Sequence, residues 1–414
     1  MIPPLPSAPQ PEGRLRADLA KGALAALAVT GCLLVVNWTV LPLALLAPAA
    51  LFCWLIHAVF FTVGAQSVSA WLRARLDGHP WRFLIVPLLL SVLLAAYFLA
   101  AKSGPLHGLP AKPWTEWALL AAFPLAALLP VLLFLRHAAS AEPKAVGAMD
   151  FLLFAMAAGI AGAYRIPHDT LPASGESFES ASRLTLLLVL VYAAVVVRRL
   201  QGIGFSLDFS AKDLLFTLGC WLMMLALFVG LLAPAGLVAY AGYSDPTFRG
   251  FQSGARYFLF HLFSVGAFEE LVFRGLFQNM LAQAAERLRE QTRQRLLRGA
   301  AAFFAAAAFA ATFFVDRAAL RWLAPMAVLL LFAGAHQIET RFRVRKGEYL
   351  VLAIISAAFG IAHFRFGAVF MTLACLAGWF DGFVYTKTNN VFLAALIHAL
   401  LNCSPMFFGL HKNF

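Results

Sequence analysis

The chain has 414 residues, 62% of them hydrophobic and 13% charged. A soluble domain is nearer half apolar and a quarter charged, so that class is excluded. The net charge is +12, but the basic residues sit in short stretches between apolar blocks, where they orient a membrane protein; no nucleic-acid partner is expected.

The chain opens with a Pro-rich tail over 1–19 that lacks the small-residue cleavage site of a signal peptide, so the first apolar block is read as a retained helix. Apolar blocks of spanning length then follow in order. The first six lie at 20–37, 41–66, 82–101, 115–136, 147–164 and 183–197. They are Leu- and Ala-rich, with almost no ionisable residue in mid-span. The stretch from Arg198 to Asp213 reads as a joint. Seven more blocks follow, at 213–240, 256–283, 300–315, 322–338, 349–365, 368–386 and 390–409. The strict alternation of a membrane β-barrel is absent. The expected fold is therefore an all-α, polytopic transmembrane helical bundle of about 13 spans. An N-terminal anchoring bundle would cover 20–205 and a C-terminal working bundle 206–414.

Loop charge suggests an orientation. With the N-terminus in the cytoplasm, the inside stretches hold Arg73, Arg75, Arg198, Arg199, Lys212, the run Glu286–Arg298 and the run Glu339–Glu348. The stretches 165–180 and 243–250, mixed or acidic, fall outside, and so does the C-terminus. Cys32, Cys53, Cys220, Cys375 and Cys403 all lie in apolar stretches without a CxxC pair, and read as small buried hydrophobes.

Ionisable residues concentrate in the working half. In "SVGAFEELVFRGLFQ" (Ser264–Gln278), Glu270 and Arg274 are four apart and can pair on a helix, which lowers the cost of holding both in a membrane. Glu269 points about 100° away, free to face a cavity as a general base. "FGIAHF" places Phe359 and His363 four apart near a helix end. "HALLN" places His398 and Asn402 one turn apart, a pair able to hold an oxyanion. Gly378 and Gly382 form a small-residue face for close helix packing. His261 and Asp381 read as structural hydrogen-bonding groups, and the run Glu286–Arg298 as a solvated, lipid-facing loop.

The order EExxxR, FxxxH, HxxxN on successive helices, with Gly378, Gly382, Tyr385, Thr388, Asn389 and Asn390 before the last motif, resembles the CPBP family. These are the CAAX protease and bacteriocin-processing (ABI) membrane proteins, related to the type II CAAX prenyl endopeptidases. The resemblance covers about 255–405. It implies a C-terminal catalytic bundle and a glutamic intramembrane endopeptidase. Glu269 with His363 would activate a water, His398 and Asn402 would stabilise the oxyanion, and Glu270 with Arg274 would order the site. No cofactor is expected. Zinc is the less favoured choice, because no HExxH pairing is present. The implied partners are a membrane-anchored protein or peptide substrate and the lipid bilayer, and the implied location is a bacterial inner (plasma) membrane. The interval between Glu269 and His363 is longer than the family's usual spacing, which points to an inserted hairpin at 299–338 that would gate entry if it lay over the site. Two other classes remain open from the residues alone: a non-catalytic scaffold or immunity-type binding protein, and a proton-coupled transporter using Glu269.

Overall fold

The computed structural model describes residues 12–37, 43–102, 113–138, 146–164, 166, 170–171, 179–240, 248–313, 320–342, 344 and 347–412. In chain order they form α1 (Glu12–Asn37), α2 (Leu43–Thr62), α3 (Gln66–Leu76), α4 (Ile85–Lys102), α5 (Pro113–Ala138), α6 (Ala148–Ala163), α7 (Ala181–Tyr192) and α8 (Ala211–Leu232). The series continues with α9 (Phe248–Phe260), α10 (Ala267–Glu270), α11 (Asn279–Glu286), α12 (Glu290–Phe313), α13 (Leu323–Arg341), α14 (Glu348–Ala362), α15 (Gly367–Thr388) and α16 (Val391–Phe407). Two short antiparallel pairs, β1 (Thr170–Leu171) with β2 (Glu179–Ser180) and β3 (Val238–Tyr240) with β4 (Leu410–Lys412), are minor additions. The protein is an all-α, multi-pass integral membrane bundle.

The count of thirteen spans is not reproduced. Among the described residues seven helices are long and apolar enough to cross a bilayer, and an eighth arises if the bent pair Ala50–Thr62 and Gln66–Leu76 is one span. Four more apolar helices are shorter, among them α14 and α16. The block expected at 41–66 ends early because the chain turns by 96° after Thr62. At that turn Gly64 lies against the backbone of Phe205, where a Cβ would collide.

The chain divides into two compact units. The first comprises Met1–Ala145, Leu153–Gln201 and Phe205–Asp208. Its centre is α7, which is apolar on every side and is therefore enclosed rather than lipid-facing. Every residue from Leu184 to Val197 is buried. Tyr192 donates to the Phe83 carbonyl at 2.9 Å, and Arg73 to that of Val195 at 3.0 Å. The buried Asp18 accepts from Ser67 at 2.5 Å, tying α1 to α3.

The second unit comprises Val146–Leu152, Gly202–Gly204 and Phe209–Phe414. Here α9, α10 and α11 join end to end through two π-helical segments, His261–Gly266 and Leu271–Gln278. Helices α14 and α15 form a tight hairpin around the 3-10 turn Phe364–Phe366. Asn389, left-handed at φ 47°, closes α15, and the Asn390 side chain accepts from Leu393 N at 3.1 Å to start α16. The run Glu286–Arg298 is not the expected loop. Most of it forms the first turns of α12, where Glu290 pairs with Arg293 and accepts from Gln294. Helices α12 and α13 pack together across the stretch where an insertion was expected. They bury Ala308, Val328 and Phe332 against Ala353 of α14 and Met371 of α15. Among the described residues none of this hairpin lines the cavity described next.

Candidate active site

The rod formed by α9, α10 and α11 presents its acidic residues between two π-helical segments, a feature that often marks functional sites because it re-aims side chains within a helix. Arg274 Nε donates to Glu270 Oε2 at 2.8 Å, and neither side chain is exposed. The four-residue spacing thus pairs the two as the sequence suggested. The guanidinium also stacks over the Phe359 ring, 5.2 Å from its centroid.

Close packing of α15 makes this burial possible. Gly378 faces Ser356, Phe359 and Arg274, and a Cβ there would stand 3.2–3.4 Å from them, a tight fit. Gly382 meets Leu352 and Gln278 in the same way, and Gln278 Nε2 donates to the Gly382 carbonyl at 3.1 Å. The small-residue face therefore packs α15 onto both α14 and the rod.

His363 follows the last residue of α14, at a helix end with free carbonyls. Its Nδ1 lies 2.8 Å from the carbonyl of Phe359. A carbonyl only accepts, so the proton is on Nδ1 and the lone pair of Nε2 is turned away from the helix. That Nε2 is 4.0 Å from Glu269 Oε2. His398, from α16, turns its Nδ1 to Glu270 Oε1 at 3.0 Å and its Nε2 to the same Glu269 Oε2 at 3.9 Å. One carboxylate oxygen is thus approached by two imidazole nitrogens from two helices. Both gaps exceed a hydrogen bond.

These groups lie on the wall of a cavity of about 380 Å³. Its floor is apolar, built from residues such as Phe228, Phe370 and Leu401. Glu269, His363, His398 and Asn402 all line it, whereas Glu270 and Arg274 sit behind His398. Asn402 Nδ2 donates to His261 Nδ1 at 3.2 Å, which fixes the amide plane and leaves a second N–H.

Two cavity residues were read from the sequence as structural only. One is His261, the partner of Asn402. The other is Asp381, 1% exposed, whose carboxylate comes within 3.6 Å of His398 Nδ1. The small-residue stretch around Asp381 does carry a signal: an acid between two packing glycines points into the protein, not out to lipid.

Glu270, Asp381 and His398 bring ligand atoms within 4.8 Å of one another. Yet both Glu270 oxygens are already engaged, one by Arg274 and one by His398 Nδ1. A cation there would have to break the imidazole bond and sit beside a buried guanidinium. The set does not fit a resident metal.

Residues 330–404 match the family model Type II CAAX prenyl endopeptidase Rce1-like. The match is consistent with the CPBP resemblance, and it carries His363, Asp381, His398 and Asn402. Glu269, Glu270 and Arg274 lie outside the matched residues and reach the site through the fold. No curated protein and no solved structure matches the chain. The Rce1-like match supports a protease-type, CAAX-protease-like hydrolase in a bilayer.

Proposed function

We propose that the chain is an intramembrane endopeptidase of the glutamic type, acting on a membrane-anchored or exported protein in a bacterial plasma membrane. The observation that carries this reading is the convergence of His363 Nε2 and His398 Nε2 on Glu269 Oε2 at the wall of a cavity, within 4.0 Å. A water between Glu269 and His363 loses a proton to Glu269 as its oxygen bonds to the scissile carbonyl carbon. The oxyanion that forms receives N–H groups from His398 Nε2 and from the second N–H of Asn402. His398 carries a proton on each nitrogen in this scheme, with Nδ1 donating to Glu270. Collapse breaks the C–N bond, and the proton held by Glu269 passes to the leaving amine. Glu270 and Arg274 keep His398 aimed. The water is activated without a metal.

The test compares wild type and Glu269→Gln in a host lacking the native gene, by mapping the N- and C-termini of membrane proteins. Termini produced only by wild type support the protease and identify its substrates. Identical termini, with the variant fully functional, would sink the reading in favour of a scaffold. Proton-coupled flux without new termini would favour a transporter.

A further inference from the structure

We infer that Asp381 is a positioning residue of the active site, the standing counter-ion that keeps His398 doubly protonated so that its Nε2 has an N–H for the oxyanion. This rests on the protease reading above and adds what holds the proton on the imidazole.

Asp381 lies on α15 between Gly378 and Gly382, the two positions at which that helix packs against α14 and the rod. Gln278 Nε2 donates to the Gly382 carbonyl at 3.1 Å and fixes this level of α15 on the rod. Asp381 is almost fully enclosed and belongs to the cavity wall beside His398. Its Oδ2 is 3.6 Å from His398 Nδ1, and among the described residues neither Oδ1 nor Oδ2 has a hydrogen-bond partner. An enclosed carboxylate without hydrogen bonds is costly unless a cation stands next to it. The imidazolium of His398 is that cation.

The other groups facing His398 do not supply a lasting negative charge. Nδ1 donates to Glu270 Oε1 at 3.0 Å, but Glu270 is already offset by Arg274, whose Nε donates to Oε2 at 2.8 Å. Glu269 Oε2 lies 3.9 Å from Nε2. As the water attacks, Glu269 takes up a proton and its charge is gone. His363 has its proton on Nδ1 and is neutral in this scheme. Asn402 brings no charge, and His261, which accepts from it through Nδ1, is neutral as well. Helix α8 contributes apolar side chains such as Leu225 and Phe228 to the wall. Among the described residues Asp381 is therefore the one anion near the ring that is neither paired with Arg274 nor neutralised during the reaction.

The placement has a second effect. A proton that left the imidazolium for Glu269 would remove the oxyanion donor and the general base together. Asp381 stands at the Nδ1 edge of the ring, whereas Glu269 faces the Nε2 edge. An anion at the Nδ1 edge favours the charged ring and leaves Glu269 free to act as base.

The test reads the ring directly. The full chain is made with isotope-labelled histidine, placed in bilayers and examined by nitrogen NMR at neutral pH. The signals of His398 are those missing from His398→Gln. Protons on both ring nitrogens are expected in wild type, and on one only in Asp381→Asn. A singly protonated His398 in wild type, or a doubly protonated one in Asp381→Asn, overturns the inference. If Asp381→Asn does not fold, Asp381→Ser takes its place. A kinetic cycle on a substrate found by terminus mapping gives a second readout. Asp381→Asn should lower kcat about 10- to 100-fold with little change in KM, the range for losing the partner of a charged group. Added to His398→Gln, it should change kcat by less than about twofold. Equal losses in the two backgrounds overturn the inference, because a merely structural role gives that result. The NMR readout needs no cleavage, so the comparison with Glu269→Gln can fail while the counter-ion stands, or the reverse.

Discussion

Arg274 and Glu270 form a fully enclosed ion pair, Nε to Oε2 at 2.8 Å, one helical turn apart on the rod that carries Glu269. Removing one member strands a buried charge, whereas removing both does not. Arg274→Leu should lower stability by about 3–5 kcal/mol. The double variant Glu270→Leu/Arg274→Leu should recover much of that loss, as measured by unfolding in detergent. A double variant no better than the single would show that the pair is not the reason for the loss.

Among the described residues, Glu269 Oε2 has no hydrogen-bond partner. Glu269→Gln should therefore unfold like wild type while slowing cleavage by about 10²- to 10⁴-fold, the range for a lost general base. Rates would be read on a substrate found by terminus mapping. Retained cleavage would remove Glu269 from the chemistry.

Asn402 is set by His261 at 3.2 Å. Asn402→Ala should reduce kcat by about 10²- to 10³-fold with little change in KM, as for a lost oxyanion donor. His261→Phe should lower kcat less, since the amide is loosened but present. A change confined to KM would instead assign the pair to substrate binding.

A Cβ at Gly382 would overlap the side-chain ends of Leu352 and Gln278, which must then shift. Gly382→Val should cost about 1–3 kcal/mol by overpacking. Thermal unfolding in detergent checks this, and a neutral result would mean α15 can slide on α14.

If Glu269 and His363 activate the water without a metal, as proposed, chelators such as EDTA or 1,10-phenanthroline should leave the cleavage rate unchanged. A loss restored by zinc would overturn the metal-independent water.

Local spacing made part of the site legible in the sequence. Glu270 and Arg274, four apart, pair in the structure, and Gly378 and Gly382 pack as a small-residue face. The spacing of Phe359 and His363 was visible too, but its physical basis was not: the partner of His363 is the Phe359 carbonyl, which no side-chain pattern encodes. The π-helical segments leave no compositional trace, so the aim of Glu269 could not be read. Asp381 and His261 acquired partners only through folding, from helices distant in sequence. The Arg-rich run looked like a loop because of its charge, yet Gln, Arg and Leu are good helix formers and extend α12 to Glu290. The span count of thirteen is not reproduced for a similar reason. Hydropathy marks apolar blocks but not the 96° turn after Thr62.

The two helices that deliver His363 and His398 are short, at 15 and 17 residues. That is about 22 and 26 Å, less than a hydrocarbon core of about 30 Å. Both are buried along most of their length, so neighbouring helices and not lipid surround them. Helices enclosed in this way are released from matching the bilayer thickness, and their lengths are set by the cavity they build.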